Sequence, residues 1–109
     1  MTHPLAAQGA ATAEANANRK HAGWSEYAYA SLIDYGLAHG AGWKFQTSQV
    51  RQWAEAEGLL PPPDKRAWGA ITTKAKRAGL IVCAGFAQAL DPASHGSPMY
   101  VWEWTGGTQ

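Results

Sequence analysis

Bulky apolar side chains are almost absent from residues 1–22, where Leu5 is the one such residue beyond Met1. A segment of that kind buries too little surface to offset its ordering entropy. Alanine favours helix there, but Gly9, Asn16 and Asn18 interrupt the run. The expectation is a flexible arm, helical when docked on something, closed by the basic cluster Arg19, Lys20 and His21.

From Trp24 onward apolar residues recur with helical spacing. Ser25 reads as an N-cap with Glu26 in the first turn, and Tyr29, Leu32, Ile33 and Gly36 share a face over 27–39 with Asp34 turned away. Glycines 40 and 42 end this helix. Trp43, Lys44 and Phe45 alternate, which suits a very short strand. Thr47 or Ser48 then caps a second helix at roughly 48–57, with Val50, Trp53 and Ala54 inward and Gly58 as its stop. Pro61, Pro62 and Pro63 make a stiff connector. Asp64 caps a third helix over 65–78, with Trp68, Ile71, Ala75 and Ala78 inward and Gly79 ending it. A strand over 80–86, a turn-rich loop over 89–98 and a strand over 99–104 complete a hairpin. Tyr100, Trp102 and Trp104 share the face expected to cover the helices, and Trp43 or Trp104 is the indole expected to be exposed if any is.

Composition sharpens this picture. The chain has 109 residues, enough for one small domain, and alanine supplies 22 of its apolar residues, while Leu, Ile, Val and Phe total 15. Six Trp and four Tyr must therefore build the core. So small a chain excludes a large enzyme with a deep substrate cleft. The single cysteine, Cys83, excludes an internal disulfide and sits in an apolar run that reads as buried. There is neither a signal-peptide pattern nor an apolar run near the roughly 18 residues that span a bilayer, so the expectation is a cytoplasmic protein without a membrane partner. The division expected is an arm over 1–22, a folded domain over 23–105 and a tail over 106–109.

Three helices, the last one short and basic, followed by a two-stranded β-hairpin describe an α+β, mainly α, winged helix-turn-helix. The net charge of +1 conceals a polarised chain. Lys65, Arg66, Lys74, Lys76 and Arg77 hold five of the nine cations, and no acid occurs over 65–90. At about 100° per residue, Arg66, Ala70, Thr73 and Arg77 lie opposite the apolar side of the third helix, with Gly69 and Lys76 beside them. Donors separated by small residues suit a helix that enters a major groove, where arginine reaches guanine bidentately. The plainer alternative is the solvated face of an amphipathic helix. The candidate DNA-binding residues are Lys65, Arg66, Gly69, Ala70, Thr73, Lys74, Lys76 and Arg77, with Ser94 and His95 of the wing loop touching backbone at most.

Other chemistry is thin. His3, His21, His39 and His95 have no metal-ligand spacing with one another or with Cys83, so no metal or other cofactor is expected. No nucleophile-elbow motif or phosphate-cradling glycine loop is present, and no catalytic residue is assigned. His95 near Asp91 and Ser94 falls in a loop, a poor place for catalysis. The triple proline could serve as an SH3-type ligand, but spacing before Asp64 explains it without a partner.

Arg66-Ala67-Trp68-Gly69-Ala70-Ile71, Ala75, Ala78-Gly79-Leu80-Ile81, Gly85, His95-Gly96-Ser97-Pro98 and Val101-Trp102 together resemble small winged-helix proteins of bacteriophages and prophages, over residues 24–104. The resemblance implies contact with double-stranded DNA through Arg66, Thr73, Lys76 and Arg77, in a bacterial host cell at the nucleoid. The leading expectation is a non-enzymatic DNA-binding protein, a phage or prophage transcriptional regulator or replication accessory factor. Asp91 and Glu103 depart from a strongly basic wing. A domain this small buries roughly 600–1,000 Å² on DNA, which favours a homodimer for specific binding. The second reading is an interaction module on the same fold that binds or inhibits a host or phage protein.

Overall fold

The computed structural model describes residues 4–90 and 98–106. Its elements are helices α1 (Pro4–Lys20) and α2 (Trp24–His39), strand β1 (Lys44–Phe45), helices α3 (Thr47–Ala56) and α4 (Ala67–Arg77), and strands β2 (Ile81–Gln88) and β3 (Pro98–Trp104). The chain is thus α+β and mainly helical, with an antiparallel sheet of order β1-β3-β2. The third strand is the short β1: Lys44 pairs with Glu103 and Phe45 with Trp102, so the hairpin is tied to the helices through β1.

Aromatics form the core, as their number requires. Trp24, Trp68, Trp104 and Phe45 are fully buried around Leu32, Val50, Ile71, Leu80 and Ile81. Trp24 and Trp68 meet edge to face at 5.7 Å, and the Trp24 Nε1–H donates to the Leu60 carbonyl at 3.0 Å, which anchors the start of the proline connector. Of the two indoles expected to be exposed, Trp43 is 37% exposed but Trp104 is 1% exposed, because it packs on Gly36 of α2.

Four local expectations are corrected. Residues 4–20 are a helix docked on the rest of the domain, not a flexible arm: Ala13 and Ala17 are buried in the core, so alanine methyls contribute to seating α1. Ser25 does not cap α2, which begins at Trp24 after a left-handed Gly23; the Ser25 N–H and hydroxyl are used by α1 instead. Helix α3 is entered from Gln46, whose N–H donates to Gln49 Oε1 at 2.8 Å, not from Thr47 or Ser48. Cys83 is exposed. It lies on β2, the edge strand, of which Ile81 alone is buried. Apolarity there reflects position in a strand, not coverage by helices.

A bulge between Cys83 and Gly85 shifts the β2 register, so that Phe86 rather than Gly85 faces Tyr100. Their rings lie 4.7 Å apart, and Tyr100 stacks in turn on Trp102 at 5.4 Å. Tyr100 therefore shares the helix-facing side with Trp102 and Trp104 but is itself exposed, beyond the helices. Among the described residues no helix is long and apolar enough to cross a membrane.

Candidate nucleic-acid interface

Helix α4 presents its inner side as foreseen: Trp68, Ile71 and Ala75 are buried and Ala78 packs against the core from its edge. The helix begins at Ala67 with Arg66, not Asp64, at its N-cap; Lys65 and Arg66 in the turn before it and Lys74, Lys76 and Arg77 on its outer side are all exposed. They do not stand alone. Arg66 folds back on Asp64, donating from Nε at 2.9 Å and Nη2 at 2.6 Å to Oδ2, while the Arg66 backbone N–H donates to Oδ1 at 2.9 Å. These hydrogen bonds hold the Asp64 carboxyl below its ordinary range and raise the guanidinium's pKa. The pair is solvent-exposed, so another anion can displace it at little cost. Lys74 places Nζ 4.4 Å above the ring of Tyr29, a cation–π contact that holds it toward α2.

The small-residue strip between these cations is occupied. Helix α1 runs along α4, and the Ala10 methyl lies 3.3 Å from where a side chain on Gly69 would begin. A glycine in a helix interior costs about 1 kcal/mol relative to alanine. At position 69 close approach of α1 accounts for it. At the other end of the contact, Arg66 Nη1 sits 3.3 Å from the corresponding point on Gly9. Ala70 and Thr73 are half-buried, and the Thr73 hydroxyl donates to the Gly69 carbonyl at 2.8 Å instead of facing outward. What stays open beside them is a groove of about 460 Å³ between the two helices, reaching Glu14 on one side and Lys74 and Arg77 on the other.

The structure thus brings Arg66, Gly69, Ala70, Thr73, Lys74 and Arg77 to the α1–α4 seam, whereas Lys65 and Lys76 flank α4 outside it. Ser94 and His95 lie outside the described residues.

Two polar features escape a reading of the sequence. Gln46, 4% exposed, donates from Nε2 to the Gln88 carbonyl at 2.8 Å and accepts the Leu90 N–H on Oε1 at 2.9 Å, so one side chain clamps the far end of β2 to the start of α3. Asn18 accepts the Ser25 N–H at 2.9 Å and donates to Ser25 Oγ at 2.7 Å; that hydroxyl donates to Glu14 at 2.7 Å. This chain ties α1 to the first turn of α2. The asparagine in an alanine-rich helix was its one visible sign, legible as a helix interrupter and equally as a tether.

Comparison with protein-family models, curated protein sequences and solved structures finds no significant match to this chain.

Proposed function

We propose that the chain is a non-enzymatic winged helix-turn-helix protein that binds double-stranded DNA, with α4 as the helix that faces the duplex. The topology is compatible: after α1 the order is helix, strand, helix, helix, strand, strand, with β1 against β3. The observation that carries the reading is the exposure of Lys65, Arg66, Lys74, Lys76 and Arg77 on a stretch of 26 residues, 65–90, that holds no acid. Cations so placed neutralise phosphates and steer a polyanion. Its role in a phage or prophage would be regulatory or accessory to replication, with a homodimer for specific sites.

The test is fluorescence anisotropy with a labelled random-sequence duplex across a salt series. If about five cations neutralise phosphates, log K falls against log salt with a slope near −4.5. Replacing Arg66 and Arg77 together by alanine should make that slope shallower by about 2. A wild-type slope near zero removes the reading.

A second reading, docking on a host or phage protein, has its own observation. An open groove of about 540 Å³ beside α2 and α3 is lined by Trp24, Leu59 and Leu60 together with Asp34 and Glu57. Tyr27 at 66% exposure and Leu60 at 55% present apolar surface there. A partner pulldown that survives the Arg66 and Arg77 substitutions, with duplex affinity unmeasurable in the unsubstituted protein, favours this reading over DNA binding.

A further inference from the structure

We infer that α1 is a cis-acting cover for α4: its amino-terminal half occupies the strip that a duplex would use, and must lift for α4 to enter a groove. This rests on the DNA-binding reading and adds regulation of the same surface.

Two observations carry it. The first is that one surface fits two occupants. Gly69, Ala70 and Thr73 form the part of α4 without bulky side chains, and Ala10 already lies against it. The absence of a side chain at 69 that admits the α1 methyl would equally admit a nucleic-acid backbone. The second is that the two halves of α1 are held differently. Its carboxy-terminal half is tethered to α2 by the Asn18–Ser25–Glu14 hydrogen bonds and by the buried Ala17. Its amino-terminal half meets α4 through Gly9 and Ala10. The contact of Ala10 with Gly69 is a methyl against a glycine, which buries a fraction of the apolar surface of a leucine, whereas the other half carries the hydrogen-bonded tether. The cover also sets a carboxylate beside the cations that a phosphate would meet: Glu14 lines the same groove as Lys74 and Arg77.

The cover leaves Lys65, Lys76 and the outer parts of Arg66 and Arg77 in solvent, so the closed form retains weak, salt-sensitive DNA binding. Opening adds contacts of the α4 strip and tightens it.

A reversible lock tests this on the full chain. Ala10→Cys with Gly69→Cys, in a Cys83→Ser background to remove the exposed native thiol, places two sulfur-bearing Cβ atoms near 3.3 Å. That is within a few tenths of an ångström of the usual disulfide range of about 3.5–4.5 Å. Anisotropy with the labelled random-sequence duplex is measured on the diamide-oxidised protein and after reduction, with circular dichroism and non-reducing electrophoresis confirming fold and cross-link. Reduction should raise affinity by about tenfold, an ordinary size for coupling between sites. Equal affinity in the two states overturns the cover while leaving the DNA reading in place. No binding in either state, and none by the unsubstituted protein, overturns both. Should the cross-linked form fail to fold, Ala10→Leu answers the same question. Its larger side chain wedges α1 away from Gly69 and should tighten duplex binding, and unchanged or weaker binding by a folded Ala10→Leu protein overturns the proposal.

Discussion

The indole of Trp104 fills the space where a side chain on Gly36 would stand: a Cβ built on Gly36 overlaps its Cδ2, Cε3 and Cε2 atoms. The last residue of β3 is thereby locked against the middle of α2, a contact between an absent side chain and a large one that helps seat the sheet on the helices. Both residues are buried.

Gly36→Ala follows from it. Helix propensity alone would favour alanine by about 1 kcal/mol. The overlap is with a rigid, fully buried ring, and overpacking of that kind costs about 1–3 kcal/mol or more. The net expectation is a loss of stability, read as a lower urea midpoint with an unchanged m-value. A gain would mean that Trp104 is free to move aside.

Gln46→Ala removes both hydrogen bonds that hold the end of β2, at Gln88 and Leu90. Losing partners for groups of this kind costs about 1–3 kcal/mol. The effect should be local as well as global: amide exchange at Leu90 should accelerate more than at Ile81, which is buried at the opposite end of the strand. Uniform acceleration along β2 would argue that the clamp does not act locally.

If α4 faces a duplex as proposed, Asp64 competes with phosphate for Arg66. Asp64→Asn removes the carboxylate while keeping an oxygen able to accept the Arg66 N–H. Duplex affinity should rise at low salt, and the salt slope should steepen by about 1. Because the Asp64 carboxyl is held below its ordinary range, its pairing with Arg66 is intact at neutral pH and is lost as pH falls through the depressed value. Unsubstituted protein should therefore approach the variant's affinity in acid. An affinity for Asp64→Asn equal to or below that of the unsubstituted protein would show that Arg66 makes no phosphate contact.

Tyr35 supplies a pH dependence at the other extreme. Burial raises its phenol above the ordinary value, partly offset by the Trp43 Nε1–H that donates to its oxygen at 3.0 Å. A raised folded pKa on an acid means that the contribution to stability is complete below the unfolded value of about 10 and is lost as pH rises past it. Alkaline denaturation should begin there, and Tyr35→Phe should flatten that limb. At neutral pH the substitution should cost about 1 kcal/mol for the lost hydrogen bond. An unchanged alkaline limb in Tyr35→Phe would place the titration on another group.

The sequence by itself determined the order and rough bounds of six of the seven elements. It did so because helical period and stop signals such as Gly58 and Gly79 are local. It also marked the inner side of α4, since Trp68, Ile71 and Ala75 repeat at the helical period. Only the tertiary structure decided what lies on the other side. Alanines 10, 13 and 17 carry too little apolar surface to announce a docking face, and a close-packed helix pair is made by the fit of a methyl to a glycine, which no single position encodes. Cys83 shows the same limit from the opposite direction: it is apolar by type yet exposed, because burial belongs to what covers a strand and not to the strand. Long-range hydrogen bonds such as Gln46 to Gln88, 42 residues apart, likewise exist only once the chain has closed on itself.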